Sequence, residues 1–392
     1  MRCKLGDISE ITKLAGYEFT KYIKYIPDGE IIAVRALNLK NGALVLDDIQ
    51  RISKEVSETL PRSQLHKNDI VLSYTGTLGE CAQIREDGKY HLAPNVCKIT
   101  PNDSVVNPNF LFQYIRCEKF KQTLINYAHG STQPTIPMST IRDIPVDIPD
   151  DLEKQGKIAA ILSILDEKIA INRAINDNLE QQAQAVFRQE LLQNGELPPN
   201  WTTSSLLDIA DYLNGLAMQK FRPVDGERGL PVLKIKELRQ GFCDYSSELC
   251  SPNIKPEFIV HDGDVIFSWS GSLLVDLWCG GTCGLNQHLF KVTSVKYPKW
   301  FYYTWTAHHL ARFVAIAADK ATTMGHIKRE DLAKAEVIIP DVASMERIGG
   351  VLQPIYDLVI NQRIENRKLS MLRDSLLPKL MSGELDVSAV EL

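Results

Sequence analysis

Long apolar runs, cysteine and catalytic motifs are scarce or missing in this 392-residue sequence. No apolar run approaches the roughly 18 residues that a membrane-spanning helix needs. The N-terminal stretch MRCKLGDISE carries charged residues where a secretory signal peptide has an apolar core. The eight cysteines are scattered without the spacing of a secreted disulfide framework. We therefore expect a soluble, cytoplasmic protein with reduced thiols and no membrane partner.

The motifs of enzymes that act on nucleic acids are also missing. A base-flipping methyltransferase would carry a glycine-rich cofactor loop and an Asn/Asp-Pro-Pro-aromatic segment, and neither is present. The stretch LPPNW at 197–201 has these letters in another order. No Gly-x-x-x-x-Gly-Lys-Ser/Thr loop occurs, which argues against a motor ATPase. The sequence therefore predicts no catalytic residues.

Two weak patterns leave other chemistry open. Asp150, followed by Asp166 and Lys168, resembles the acidic pair and lysine of some metal-dependent nucleases. Zinc ligands are available in the second half, at Cys243, Cys250, Cys279, Cys283 and His288. Loose acidic patterns arise by chance, and the first half has no matching set of zinc ligands. We therefore favour a charged helix face and buried thiols, and predict no metal site.

A net charge of −5 at first argues against nucleic acid, because DNA binding depends on Lys and Arg that neutralise phosphates. The acidic excess, however, lies in residues 151–197 and 341–392, and the rest of the chain is neutral overall. Local basic runs occur within that neutral part. The clearest run comprises Lys220, Arg222, Arg228, Lys234, Lys236 and Arg239. Both an ordinary solvated surface and a DNA-facing surface fit this pattern.

The chain repeats a series of short motifs in the same order. DIVLSYTG from Asp69 matches DVIFSWSG from Asp264, and VRALNLKNG from Val34 matches LKIKELRQG from Leu233. STQPTIPMSTI from Ser131 corresponds to TTMGHIKREDL from Thr322, and IPD occurs at 148–150 and again at 339–341. Such self-similarity indicates two copies of one structural unit. We interpret Asp69 and Asp264 as turn residues at strand starts rather than general bases.

A long helical pattern follows each IPD. Apolar residues recur near every 3.5 positions, which predicts a coiled-coil seam. The seam residues are Ile158, Leu162, Leu165, Ile169, Leu179, Ala183 and Val186 in the first helix, and Ile348, Leu352, Ile355, Val359, Leu369, Leu372 and Leu376 in the second. Polar residues interrupt both seams at Asn172, Asn176, Gln362 and Asn366. Since polar seam residues fix register, we expect the helices to pair antiparallel with these four side chains in one cluster.

These features predict an α/β (α+β) fold with two similar globular domains separated by two long helices. We assign residues 1–150 and 198–341 to the domains, and 151–197 and 342–392 to the helices. The stretch LLQNGEL at 191–197 resembles LMSGEL near the C-terminus. This resemblance suggests a circular arrangement with an approximate two-fold axis through the helix pair.

With these motifs the sequence resembles the specificity (S) subunits of type I restriction-modification systems over essentially its whole length. The resemblance implies two target-recognition domains that each read one half of a split site in double-stranded DNA. It implies a helix pair that sets the spacing and docks two methyltransferase subunits, which bind S-adenosylmethionine and methylate adenine. Two restriction subunits, which use ATP and Mg²⁺, complete such a complex. The specificity subunit itself would carry no cofactor and no catalysis.

The candidate DNA-binding residues are polar or basic side chains in the repeated motifs and the basic run, because base edges and phosphates need such donors and acceptors. In the first domain they are Tyr74, Thr75, Gly76, Thr77, Ser131, Thr132 and Gln133. In the second they are Lys220, Arg222, Lys234, Lys236, Trp269, Ser270, Gly271, Ser272, Thr323, His326, Lys328 and Arg329. The first domain lacks a counterpart of the Lys328–Arg329 pair. Two alternatives remain open, an enzyme of unfamiliar type and a scaffold without DNA specificity.

Overall fold

The computed structural model describes residues 1–130, 133–192, 197–319, 325–388 and 390. They form two compact units. The first unit consists of Met1–Glu167 with Ser370–Leu392, and the second of Lys168–Leu369. Both units combine strands and short helices with parts of two long helices, so the predicted mixed fold class is confirmed.

The first unit contains twelve strands and five short helices. The strands are β1 (Arg2–Lys4), β2 (Ser9–Lys13), β3 (Ile31–Val34), β4 (Leu39–Lys40), β5 (Ala43–Leu44), β6 (Gln50–Ile52), β7 (Gln64–Leu65), β8 (Ile70–Ser73), β9 (Cys81–Gln83), β10 (Tyr90–Leu92), β11 (Val96–Pro101) and β12 (Pro145–Asp147). The short helices are α1 (Gly16–Tyr22), α2 (Lys54–Thr59), α3 (Pro108–Arg116), α4 (Glu118–Asn126) and α5 (Met138–Asp143). The long helix α6 (Leu152–Leu191) starts here and continues into the second unit.

The second unit repeats this order. Its strands are β13 (Thr202–Ser205), β14 (Asp211–Asn214), β15 (Leu230–Leu233), β16 (Leu249–Cys250), β17 (Ile259–Val260), β18 (Val265–Ser268), β19 (Leu274–Leu277), β20 (Cys283–Leu285), β21 (Leu289–Thr293) and β22 (Glu336–Ile339). Its short helices are α7 (Leu206–Ile209), α8 (Ile235–Gln240), α9 (Lys299–His308), α10 (Leu310–Asp319) and α11 (Arg329–Ala333). The long helix α12 (Val342–Ser382) follows and ends in the first unit.

The sheets show that the sequence repeat is a structural repeat. In the first unit the larger sheets have the orders β2-β11-β8-β9 and β6-β3-β10-β7, and β1 pairs with β12. In the second unit the corresponding orders are β14-β21-β18-β19 and β16-β15-β20-β17, and β13 pairs with β22. Most pairs are antiparallel, and each unit has one parallel pair at the same place, β3 with β10 and β15 with β20.

The repeated motifs occupy equivalent positions. DIVLSY and DVIFSW form the central strands β8 and β18, as their β-branched and aromatic content predicts. Asp69 accepts a hydrogen bond from the His66 backbone N–H at 2.7 Å, and Asp264 accepts one from the His261 N–H at 2.8 Å. Both carboxylates therefore close the turn before the strand, which confirms their interpretation as turn residues.

The long helices complete the core of each unit. Ile158 and Leu162 of α6 pack with Leu377 and Leu380 of α12 in the main core cluster of the first unit. In the second unit Ala183, Phe187 and Leu191 pack in one cluster with Ile348, Leu352, Tyr356 and Ile360. Most predicted seam residues are buried or half-buried, but Leu372 is 45% exposed and lies outside the seam. The seam prediction failed there because α12 turns other residues, Leu377 and Leu380, towards the core.

Contacts within the second unit show that the two helix segments run antiparallel. Glu190 forms an ion pair with Arg347 at 2.6 Å, and Asn172 hydrogen-bonds Asn366 at 2.9 Å. Residue numbers thus rise along α6 as they fall along α12. In the first unit Asp166 contacts Arg373, which fits the same direction.

A buried charged triad, which we call the first junction, ties the helices of the first unit to its globular part. Asp166 of α6 accepts hydrogen bonds from Arg116 of α3 at 2.5 Å and from Arg373 of α12 at 2.9 Å. Gln113 donates a further bond to Asp166 at 2.6 Å. Burial, together with the neighbouring Arg373 charge, lowers the pKa of Arg116. One carboxylate therefore sits between two guanidinium groups.

A second triad, the second junction, does the same in the second unit with opposite charges. Arg363 of α12 donates to Asp276 of β19 at 2.7 Å and to Glu180 of α6 at 2.7 Å. Burial works against the charged form of Arg363, but the two carboxylates outweigh it and raise its pKa. Burial also raises the pKa of Glu180. Arg367 adds a bidentate pair with Asp262 at 2.7 and 2.8 Å.

Candidate functional site

In the first unit the loop after β8 is joined to the segment that carries the second candidate motif. The Gly76 N–H donates to the Pro134 carbonyl at 2.9 Å, and the Ile136 N–H donates to the Tyr74 carbonyl at 3.0 Å. The hydroxyls of Thr75 and Thr135 lie 2.6 Å apart. Two motifs about 60 residues apart in sequence therefore form one surface.

The second unit repeats this arrangement. The Gly271 N–H donates to the Gly325 carbonyl at 3.0 Å, and the Ile327 N–H donates to the Trp269 carbonyl at 3.1 Å. Ser270 and His326 form the corresponding bridge. These hydrogen bonds match those of the first unit one for one. We call the two sites the first and second motif surface.

Both loops turn at a glycine with a left-handed backbone. Gly76 has φ = 78° and Gly271 has φ = 65°, a region that side chains disfavour. Nothing lies within 4 Å of a Cβ built on Gly76, so the loop is open to solvent there. Thr77 and Ser272, which follow the glycines, are exposed. The loops thus present backbone and hydroxyl groups at the protein surface.

Serines at the ends of β8 and β18 hold the loops in shape. The Ser73 hydroxyl donates to the Thr77 carbonyl at 2.5 Å and accepts from the Glu80 N–H at 3.0 Å. The Ser268 hydroxyl donates to the Ser270 carbonyl at 3.2 Å. These bonds fix the loop backbone before any partner binds, which reduces the ordering cost of recognition.

Each motif surface includes a residue that sequence reasoning missed. Lys13, the last residue of β2, holds its ammonium nitrogen 5.3 Å from the centre of the Tyr74 ring. In the second unit Asn214, the last residue of β14, accepts a hydrogen bond from the Trp269 indole N–H at 3.0 Å. The only available signal was that each residue ends the strand at the corresponding place in the repeat. Burial raises the pKa of Tyr74, so its hydroxyl remains a donor at neutral pH.

The second motif surface also gathers histidine side chains. The Ser270 hydroxyl lies 3.1 Å from Nδ1 of His288, a residue considered above only as a zinc ligand. The Trp269 ring centre is 6.1 Å from that of His288 and 6.4 Å from that of His326. Aromatic and imidazole groups therefore stand beside the exposed loop. Such groups can donate hydrogen bonds to base edges or phosphates.

The predicted basic run in the second unit is largely paired with acidic side chains. Lys234 and Arg222 share Glu248, at 2.8 and 3.5 Å, and Lys236 pairs with Asp244 at 3.2 Å. The Lys234 hydrogen bond lowers the pKa of Glu248. These surface pairs are weak, so a phosphate could replace the carboxylate partner.

The remaining candidates differ in how much the structure says of them. Lys220, Lys328 and Arg329 are exposed, and the last two flank the start of α11. Gln133 is also exposed, next to Pro134 of the first motif surface. Ser131, Thr132 and Thr323 lie outside the described residues.

The polar seam residues lie where the two helix segments of the second unit face each other. The Asn172 amide donates to Glu365 at 2.7 Å and to Asn366 at 2.9 Å, and the Asn176 amide donates to the Val359 carbonyl at 3.5 Å. The side-chain oxygens of Asn172, Asn176 and Gln362 are buried and have no hydrogen-bond partner among the described residues. Such polar groups cost stability, which agrees with a role in fixing register.

The acids and thiols considered for other chemistry are engaged elsewhere. Asp166 belongs to the first junction, and Asp150 pairs with the N-terminal amine at 3.0 Å. Across the described ranges no three His, Cys, Asp or Glu side chains are grouped as metal ligands. Burial raises the pKa of Cys279 to about 11, which disfavours the thiolate that zinc requires. In the same ranges no helix combines the length and apolar character needed to cross a bilayer.

Comparisons with known proteins add an independent line of support. The family model described as "Type I restriction modification DNA specificity domain" matches residues 1–181 and 198–368. The specificity subunit of the type I restriction enzyme MjaIX from Methanocaldococcus jannaschii is 27% identical, with 74% of this chain and 71% of the relative covered. That of EcoKI from Escherichia coli K12 is 24% identical, with 97% and 89% covered.

A solved structure shares the fold. The crystal structure of the type I restriction-modification system S subunit from M. genitalium superimposes with a TM-score of 0.54 at 13% identity. The match covers 97% of this chain and 96% of the other.

Proposed function

Because the chain belongs to the family of type I restriction modification DNA specificity domains, which match it twice, we propose that it is the specificity subunit of a type I restriction-modification complex. The domains at 1–150 and 198–341 each read one half of a bipartite site in double-stranded DNA. The helices at 151–197 and 342–392 set the spacing between the halves. One observation carries this proposal, the construction of the same open surface from the same motifs in both units.

The motif surfaces suit DNA recognition. Their glycine turns let backbone approach a ligand closely, and their hydroxyl, imidazole and amide groups are the donors and acceptors that base edges require. The framework is shared, but the side chains differ, Tyr74 and Thr75 in one domain against Trp269 and Ser270 in the other. Different side chains on one framework read different bases. The target is therefore asymmetric rather than palindromic.

The proposal assigns the chemistry to partner subunits. Two methyltransferase subunits, which bind S-adenosylmethionine and methylate adenine, dock on the helices. Two restriction subunits supply the ATP- and Mg²⁺-dependent steps. The chain itself holds no cofactor, catalyses no reaction and works in the cytoplasm.

Mapping methylated adenines across the genome, with this gene intact and deleted, tests the proposal. We expect one bipartite motif with two different halves and a fixed gap, present only when the gene is intact. Methylation that follows no sequence would indicate a scaffold without specificity, and unchanged methylation after deletion would overturn the proposal. Replacing residues 1–150 with those of a relative should change one half-site and leave the other. A change in both halves would contradict independent reading.

The spacing role is tested by lengthening both helices at matched positions, after Glu167 and after Leu369. Four added residues extend a helix by roughly 6 Å and rotate the rest of the helix by only about 40°. Since duplex DNA rises about 3.4 Å per base pair, the gap should grow by one or two base pairs with unchanged half-sites. A matched two-residue insertion rotates the domain by about 200° and should abolish recognition. An unchanged gap with activity retained would show that the helices are not the spacer.

A further inference from the structure

An exposed group of tyrosines and lysines lies beside the first motif surface. It consists of Tyr17, Lys21, Tyr22, Lys24 and Tyr25, in and just after α1, and we call it the α1 patch. Tyr17 is 70% exposed, and Tyr22 and Tyr25 are more than a third exposed. Large aromatic side chains held in water at this density mark an interaction surface.

The charges of the patch select the kind of partner. Lys21 and Lys24 are fully on the surface, and in the described part of the chain neither forms a salt bridge. The Lys21 ammonium lies 4.8 Å from the Tyr22 ring centre. The acid within α1, Glu18, is occupied with the helix start, where it accepts from the Ala15 N–H at 3.0 Å. The patch therefore offers unpaired positive charge next to phenolic hydroxyl groups.

The neighbouring acids are tied to other segments or stand apart from the lysines in sequence. Glu30 accepts a hydrogen bond from the Lys54 N–H at 3.1 Å, which lowers its pKa together with its own backbone. Asp28 is exposed in the turn after the patch. Between Lys13 and Tyr25 the sequence holds three lysines against one glutamate, so this segment is basic within an acidic protein.

The patch is continuous with the first motif surface through the backbone. β2 ends at Lys13, whose ammonium group lies over Tyr74, and α1 begins three residues later at Gly16. In the second unit the segment after Asn214 carries Lys220, Phe221 and Arg222 in the corresponding place. There Arg222 already has Glu248 as a partner, at 3.5 Å. The first unit alone thus keeps its cations free at this position.

We propose that the α1 patch binds the phosphate backbone of DNA next to the half-site read by the first domain. Lysine ammonium and tyrosine hydroxyl groups are donors that proteins use on phosphate oxygens. Burial raises the pKa of Tyr25, which keeps its hydroxyl protonated. Contacts of this kind position the domain without reading sequence. The inference rests on the proposed function, since it needs DNA at the first motif surface.

The test is the salt dependence of DNA binding by the full-length chain with its methyltransferase subunit, in wild-type form and with Lys21→Gln and Lys24→Gln combined. Each lost phosphate contact lowers the slope of log K against log salt by about 0.9. Two lost contacts should reduce the affinity advantage of the wild type about 12-fold between 50 and 200 mM salt. The recognised sequence should not change. Lys54→Gln with Lys89→Gln is the matched control, because it removes the same charge from lysines that already pair with Glu58 and Glu86.

The outcomes separate this inference from the proposed function. A reduced slope in the α1 variant, with a wild-type slope in the control, supports phosphate contact. Equal slopes in wild type and α1 variant overturn it while leaving sequence-specific binding intact. Failure of the α1 variant to assemble with the methyltransferase subunit would show that the patch contacts protein, which also overturns it. Absence of specific binding by the wild type would instead reject the proposed function.

Discussion

The two junctions solve the same problem with opposite charges. In the first junction an acid, Asp166, lies between Arg116 and Arg373. In the second junction a base, Arg363, lies between Asp276 and Glu180. In both, the central residue belongs to a long helix and bridges the globular part and the other helix. The repeat therefore preserves the position of a buried charged bridge but not its sign.

The difference has a physical consequence, because carboxylates can lose their charge by protonation and guanidinium groups cannot. If the centre of the first junction is removed, two arginines remain charged and close together. If the centre of the second is removed, the two acids can take up protons. The surroundings add to the contrast. The Arg116 side chain is 12% exposed, whereas that of Glu180 is 33% exposed and lines a cavity of about 240 Å³.

Asp166→Asn should break the comparison most strongly. It leaves the Arg116 and Arg373 charges buried without a carboxylate, and breaking a buried pair in this way costs about 3–5 kcal/mol. We expect a loss of that size in the free energy of unfolding of the first unit, measured by urea denaturation of the full chain. Asp143→Asn is the control, since Asp143 pairs with Lys4 at an exposed site and should cost less than about 1 kcal/mol. Equal losses in both variants would contradict a buried bridge.

Arg363→Gln should destabilise the second unit by less, about 2–3 kcal/mol at pH 7, since its acids are more exposed and can neutralise themselves. The amide retains some hydrogen bonding to Asp276 or Glu180. Urea denaturation of the full chain measures the loss. Arg347→Gln, which removes the helix-to-helix pair with Glu190, is the matched control and should cost no more than about 1 kcal/mol. A loss larger than that of Asp166→Asn would refute the proposed role of protonation.

The pH dependence of these two variants sharpens the contrast. The folded-state pKa of Glu180 is already raised by burial, and removing Arg363 raises it further. An acid with a raised folded pKa destabilises the folded state above that pKa, and protonation relieves the cost as the pH falls through it. The deficit of Arg363→Gln should therefore shrink between pH 7 and pH 5. The deficit of Asp166→Asn should stay constant, because both arginines remain charged. Unfolding curves at pH 7, 6 and 5 give this comparison, and parallel changes in both variants would contradict it.

The sequence predicted the repeated elements but not the contacts between them. The strands of DIVLSY and DVIFSW, the turn acids Asp69 and Asp264, and the two long helices follow from local patterns of hydrophobicity and turn residues. Aromatic residues such as Phe110 and Trp300 were expected in the core, and they are buried.

The contacts that could not be predicted join residues that are far apart in the chain. Asp166 and Arg373 are 207 residues apart, and no local signal links them. The pairing of Thr75 with Thr135 and the place of Lys13 beside Tyr74 likewise need the fold. The misplacement of Leu372 shows the limit of a strict 3.5-residue period, because a helix that packs on a globular core follows that core rather than a heptad.

Glu180→Gln should have the smallest effect of the set, and it tests whether the outer residues of a triad matter less than its centre. The amide oxygen still accepts from Arg363, and Arg363 keeps its ion pair with Asp276 at 2.7 Å, so no charge is left unpaired. Removing a carboxylate whose burial already raises its pKa also removes a desolvation cost. The net change in unfolding free energy should stay within about 1 kcal/mol at pH 7, and it should decrease towards pH 5 as the wild-type Glu180 takes up a proton. Urea denaturation beside Arg363→Gln gives the measurement. A loss equal to that of Arg363→Gln would mean that the ionised Glu180, rather than the central arginine, holds the second junction together.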